Sequence, residues 1–155
     1  MIKIAIVDDN LFLQKTVQEK LSFFEDIEIK SKSLNGKELL QKLEKNSNLD
    51  LILMDIEMPE MNGVEATAEV KKRYPHIKIL MLTVFDNDEK IFKSIKAGAD
   101  GYLLKEINPQ ELYNSIKETL SGGAAMTPSI ALKTLKLLRE PQVFETEEEK
   151  EKITL

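Results

Sequence analysis

At 155 residues, with 42% hydrophobic and 32% charged side chains, the chain has the make-up of one soluble globular domain with a short appendage. Its formal charge of −5 argues against a nucleic-acid surface on this stretch, because phosphate binding needs an excess of lysine and arginine. The absence of cysteine excludes a disulfide framework and a thiolate metal site and fits a cytoplasmic address, and no apolar run approaches the ~20 residues of a membrane span.

The first apolar run, Ile2–Val7, goes straight into Asp8 and Asp9, without the length or cleavage site of a signal peptide, so it predicts a strand. Asn10 then caps a helix whose Leu11, Val17, Leu21 and Phe24 fall on one side. Ile27–Ser31 alternates between apolar and polar residues and reads as an edge strand. Asn35-Gly36 opens a second helix that buries Leu39, Leu40 and Leu43. After the strand Leu49–Met54, Asn62-Gly63 opens a third helix carrying Val64, Ala68 and Val70, which stops before Tyr74-Pro75. The strand Ile77–Leu82 leads to a helix that begins at Asp88, carries Ile91, Phe92, Ile95 and Ala97, and is closed by Gly98. Gly101–Leu104 is the fifth strand, and Asn108-Pro109 starts a helix with Leu112, Ile116 and Leu120 that ends at Gly122-Gly123.

Residues 4–7, 51–54 and 79–82 are apolar at every position, as a strand covered on both faces must be. Alternating strands and helices predict an α/β fold: a flavodoxin-like, doubly wound, five-stranded parallel sheet of order 2-1-3-4-5. Its switch point falls between the first and third strands. Thr127-Pro128 predicts a further helix over Ser129–Arg139, with Ile130, Leu132, Leu135, Leu137 and Leu138 as its apolar positions. The charge block at 145–152 reads as a solvated linker.

The polar residues that end the apolar runs are Asp8 and Asp9 after the first strand, Asp55 after the third, Thr83 after the fourth and Lys105 after the fifth. In a doubly wound sheet all of them reach the carboxyl edge, where ligands bind. Three carboxylates brought together repel one another unless a counter-charge sits among them. Magnesium suits this donor set, since it takes hard oxygen ligands and keeps waters and phosphate oxygens in its shell. Asp8-Asp9 alone also reads as an acidic pair favoured by a helix N-terminus; Asp55 on the neighbouring strand favours the metal. Asp55 is then the candidate nucleophile and Lys105 a second cation able to pair with a phosphoryl oxygen. The bland alternatives are a strand-ending surface lysine at 105 and a plain β-branched strand end at Thr83. His76, the one histidine, reads as a turn residue.

Residues 1–123 resemble the receiver domain of bacterial response regulators (the CheY-like domain). The likeness rests on Ile6-Val7-Asp8-Asp9, on Leu53-Met54-Asp55-Ile56-Glu57-Met58-Pro59 followed by Asn62-Gly63, on Leu82-Thr83, and on Ala97-Gly98-Ala99-Asp100-Gly101-Tyr102-Leu103-Leu104-Lys105. The resemblance implies that Asp55 accepts a phosphoryl group from a sensor histidine kinase. It implies Mg2+ held by Asp8, Asp9, Asp55 and the backbone carbonyl of Glu57, and a switch pair made of Thr83 and Tyr102. Such a domain is not an enzyme toward a separate substrate; it catalyses only its own phosphorylation and dephosphorylation. Glu106 stands where many receivers carry a cis proline, which leaves the Lys105–Glu106 bond open, while Glu57 and Phe85 occupy positions that influence attack by water.

The stretches 82–86 and 101–105, with Ser121-Gly122-Gly123-Ala124 and Pro128-Ser129-Ile130-Ala131, are similar to the NarL/FixJ class, whose members carry a LuxR-type helix-turn-helix domain. Residues 124–155 are therefore expected to be a linker helix and charged linker leading to that domain, with Ile153-Thr154-Leu155 as its first residues. DNA would be contacted only through it, and phosphorylation is expected to favour a homodimer. The alternatives are a pseudo-receiver interaction domain, against which the intact acids, Thr83 and Lys105 count, and an aspartyl-nucleophile phosphatase, which needs a threonine after the second acid where Met58 stands. A flavin or nucleotide module would need a glycine-rich loop where Asp8-Asp9-Asn10 lies.

Overall fold

Five strands alternate with five helices, and a sixth helix follows, along the described part of the chain, which in this computed structural model comprises residues 1–141 and Phe144. In order they are β1 (Ile2–Val7), α1 (Leu11–Leu21), β2 (Ile27–Ser33), α2 (Gly36–Lys45), β3 (Leu51–Met54), α3 (Gly63–Arg73), β4 (Lys78–Thr83), α4 (Asp88–Ala97), β5 (Gly101–Leu104), α5 (Pro109–Leu120) and α6 (Pro128–Arg139). All strand pairs are parallel and the order is β2-β1-β3-β4-β5, as the alternation predicted.

Asparagine stands at the start of five helices, and at all but Asn87 of α4 its side chain caps the helix. The side chains of Asn10, Asn35, Asn62 and Asn108 accept the backbone N–H of Leu13, Glu38, Glu65 and Glu111, giving partners to donors that a helix start otherwise leaves orphaned. At α3 the pairing is reciprocal, because Glu65 also accepts the N–H of Asn62. Gly98, at φ 108°, ends α4 in the left-handed conformation that favours glycine.

The wholly apolar strands serve two cores. Along β1, β3 and β4, Ala5, Val7, Ile52, Met54, Ile79 and Met81 face α2, α3, α4 and α6. The intervening Ile4, Ile6, Leu51, Leu53, Leu80 and Leu82 face α1 and α5. Successive side chains point to opposite faces, so no position within 4–7, 51–54 or 79–82 is free to be polar.

Several expectations are corrected in detail. β2 continues to Ser33, because Val7 still pairs with it and Asp8 N–H donates to Ser33 O. α1 stops at Leu21; Phe24 lies beyond it, stacked on Tyr113 with ring centroids 4.0 Å apart. Leu11, in the first turn above the sheet's carboxyl edge, is 68% exposed, and the buried stripe of α1 is Gln14, Val17 and Leu21. On α3 the buried residues are Gly63, Ala66, Thr67 and Val70, while Ala68 is exposed. The Lys105–Glu106 bond, which the sequence leaves open, is trans.

The chain after α5 wraps the open edge of β5. Tyr102 N–H donates to Ala125 O (2.9 Å) and Thr127 N–H to Tyr102 O (3.2 Å), giving an edge strand partners that it would otherwise lack. Ala125 joins the α1/α5 core; α6 then crosses to the other face, where Ile130 and Leu137 are buried against α4. Leu132, Leu135 and Leu138, read as apolar positions of the same helix, remain exposed. The expected charged linker at 145–152 and the start of a further domain at 153–155 lie outside the described residues.

Candidate functional site

β1 and β3 are neighbours in register, Val7 opposite Met54, so the chain leaves both strands at one level with Asp8 and Asp55 next in line. Asp55 N–H donates to Val7 O (2.9 Å), which fixes that level. One carboxylate oxygen each of Asp8, Asp9 and Asp55 lies within 4.8 Å of the other two. Asp8 and Asp55 are 3% and 7% exposed, whereas Asp9 is open to solvent.

Each buried carboxylate is held at both oxygens. One oxygen of Asp8 accepts Asn10 N–H at 2.9 Å, and one oxygen of Asp55 accepts Ile56 N–H at 2.8 Å. The other oxygen of each meets Lys105 Nζ, at 2.6 Å from Asp8 and 2.9 Å from Asp55. Burial pulls the Lys105 pKa down, but the hydrogen bonds it donates to Asp8 and Asp55, with their negative charges, outweigh it, and the net displacement is upward, which keeps the side chain charged. The backbone of Lys105 is anchored through its N–H to Thr83 O at 2.9 Å.

Three carboxylates thus face one ammonium, an excess of two negative charges beside an open side. That donor set fits a hard divalent cation. The Glu57 side chain is not among the converging carboxylates; it pairs with Lys90 of α4.

Thr83 and Tyr102 are both fully buried. Thr83 Oγ1 accepts Phe85 N–H (3.3 Å), and the Tyr102 hydroxyl donates to Phe85 O (2.7 Å). The tyrosine ring is therefore turned inward, tied to the same β4–α4 loop as the threonine. Burial first, then the charges of Asp86 and Asp55, push the Tyr102 pKa far above the ordinary phenol range, so it remains a neutral donor. His76 is an exposed turn residue whose ring lies 3.1 Å from Ser47 O.

The strand-end reading brought these residues together but missed three supports. Gln14, on the buried stripe of α1, donates to both Asp8 O and Ser33 O at 2.7 Å and so fixes the β1 exit. A polar residue on an otherwise apolar stripe was the available signal. Lys20 donates to the carbonyls of Lys105 and Ile107, and nothing local in the sequence announces that contact. Gly63 packs directly against the Asp55 carbonyl.

An open parallel sheet of this order, with acids at its switch point, defines the CheY-like class of fold. The crystal structure of a CheY-like receiver domain protein from Methanospirillum hungatei JF-1 matches it with a TM-score of 0.70 and 34% identity, over 78% of this chain and 94% of that one. A two-component response regulator of the LuxR family from Aurantimonas sp. SI85-9A1 matches with a TM-score of 0.81 and 25% identity, over 89% and 98% of the two chains. Residues 4–117 match the response regulator receiver domain family, and the chain belongs to it. The transcriptional regulatory protein DegU of Brevibacillus brevis is 36% identical over 150 residues, which are 97% of this chain and 62% of that protein. The chain therefore spans about three fifths of the length of that relative. Among the described residues, no helix is long and apolar enough to cross a membrane.

Proposed function

We propose that Asp55 is a phosphoacceptor, that Asp8 and Asp9 help it to hold Mg2+, and that the protein is the cytoplasmic receiver of a regulator of transcription. The observation that carries this reading is one lysine shared by two buried carboxylates on adjacent strand ends, with a third, exposed carboxylate beside them.

An Asp55 oxygen attacks the phosphorus of a kinase phosphohistidine. The new P–O bond forms as the P–N bond breaks, and the departing imidazole nitrogen takes up a proton. Asp8, Asp9, Asp55 and the backbone carbonyl of Glu57 would hold Mg2+, which would supply charge neutralisation at the phosphoryl oxygens. Lys105 contributes the second cation by turning its ammonium from the Asp55 carboxylate to a phosphoryl oxygen. Thr83 gives up its bond with Phe85 N–H to donate its hydroxyl to another of those oxygens. Because Tyr102 grips the carbonyl of the same residue, the loop 84–87 and the ring move as one packed element, and a local charge change becomes a surface change. The partners are a sensor histidine kinase, a second copy of the chain once phosphorylated, and DNA through a carboxyl-terminal domain. Residues 1–123 form the receiver and 124–155 the connection to that domain.

Incubation with acetyl phosphate and Mg2+ is expected to add one acid-labile phosphoryl group, seen by intact mass, to wild type and none to Asp55→Asn. Equal labelling of both proteins would overturn the assignment. In the same preparations, light scattering with beryllofluoride is expected to report a dimer; an unchanged mass removes the homodimer from the proposal.

A further inference from the structure

We propose that Lys20, at the far end of α1, is a positioning residue for Lys105; this rests on the reading of Asp55 as the phosphoacceptor. Lysine in the last turn of a helix is ordinarily explained by the negative end of the helix dipole. Here the ammonium has left its own helix. It donates to Lys105 O at 3.1 Å and to Ile107 O at 2.9 Å, bridging 85 and 87 residues of sequence. Between those carbonyls the chain makes a tight turn, closed by Ile107 N–H donating to Leu104 O at 3.2 Å. No backbone N–H donates to either carbonyl among the described residues, so the lysine supplies both with a partner.

The consequence reaches the site through one residue. Lys105 is fixed at its N–H by Thr83 and at its C=O by Lys20, and these two anchors aim its side chain at Asp8 and Asp55. Glu106 follows Lys105, so no proline ring stiffens the turn; the α1 lysine provides the restraint. α1 then governs both halves of the cluster. Its Gln14 holds the carbonyl of Asp8, and its Lys20 holds the carbonyl of Lys105. A group that must swing from a carboxylate to a phosphoryl oxygen needs a backbone that does not swing with it.

The test compares Lys20→Met, which keeps the stem, with Lys20→Arg, whose fork can still span two carbonyls. Lys20→Met is expected to slow labelling by acetyl phosphate about tenfold, in the range for removal of a supporting partner. Lys20→Arg is expected to restore most of the rate. In a Lys105→Met background, Lys20→Met is expected to have no further effect, because the residue through which it acts is gone. The NMR signal of the Lys105 ammonium is expected to shift in Lys20→Met and to return in Lys20→Arg. A wild-type rate with an unmoved Lys105 signal overturns the proposal, and so does an equal slowing in the Lys105→Met background. A displaced Lys105 signal in a protein that takes up no phosphoryl group at all supports the positioning role and removes the phosphoacceptor reading instead.

Discussion

Replacing Lys105 with methionine is expected to lower the unfolding free energy by about 3–5 kcal/mol in magnesium-free buffer, the range for deleting one partner of a buried ion pair. The Lys105, Asp8 and Asp55 side chains are 10%, 5% and 8% exposed, so water screens little of what is lost. Two carboxylates that shared an ammonium would face each other and Asp9 with no cation between them. A methionine of similar length fills the space, which confines the loss to charge and hydrogen bonding.

Magnesium should return much of that loss. An ion that binds only the folded state stabilises it by about 2.7 kcal/mol at a hundredfold excess over its dissociation constant. The gain is expected to be larger in the variant than in wild type, because the repulsion relieved is larger. Urea unfolding of both proteins with and without magnesium measures all four values. A loss below about 1 kcal/mol would mean a pair screened as surface pairs are. An equal response of both proteins to magnesium would separate the ion from the lysine. Labelling should fall as well, since Lys105 is the only cation that touches Asp55 among the described residues.

What could be read in advance followed from periodicity, and what could not followed from distance. Residues 4–7, 51–54 and 79–82 had to be buried on both faces, so their ends had to lie at one edge. Asp8, Asp55 and Lys105 were legible because each is the first residue that an apolar strand could not accommodate. The asparagine caps at 10, 35, 62 and 108 were equally plain, since each precedes an apolar-periodic run. Lys20 was invisible because its partners are 85 and 87 residues away, on a turn whose shape no local signal fixes. α6 shows a different limit. Ile130 and Leu137 lie on one side of it and Leu132, Leu135 and Leu138 on another, and only packing against α4 decided which side was covered. The pairing of residues 125–127 with β5 was hidden by brevity, for a two-sided grip on a single tyrosine has no period.

Gly63→Ala is expected to cripple the site and the fold together, and Gly36→Ala the fold alone. Both glycines follow an asparagine cap and open a helix, so propensity makes the same forecast for each: alanine favours the helix by about 1 kcal/mol. Their surroundings differ. A Cβ at Gly63 would lie 1.8 Å from the carbonyl oxygen of Asp55 and 2.8 Å from its carbonyl carbon. That is backbone with no rotamer to yield, and Gly63 N–H is itself bound to Ile56 O at 2.7 Å. Either α3 retreats, taking its capping box with it, or the peptide after Asp55 turns and carries the carboxylate away from Lys105. A displacement of roughly 1 Å at a reacting group costs on the order of a hundredfold in rate. At Gly36 the added carbon would meet Ala66 Cβ at 2.7 Å and Met61 Cγ at 2.8 Å, an overpacking strain of about 1–3 kcal/mol that touches no acid. Thermal melting should therefore drop for both variants, while labelling by acetyl phosphate at a temperature where both are folded should collapse only for Gly63→Ala. Full labelling of a folded Gly63→Ala protein would mean that the α3 start and the Asp55 peptide are not locked together, and the close packing that aims this carboxylate would lose its main physical support.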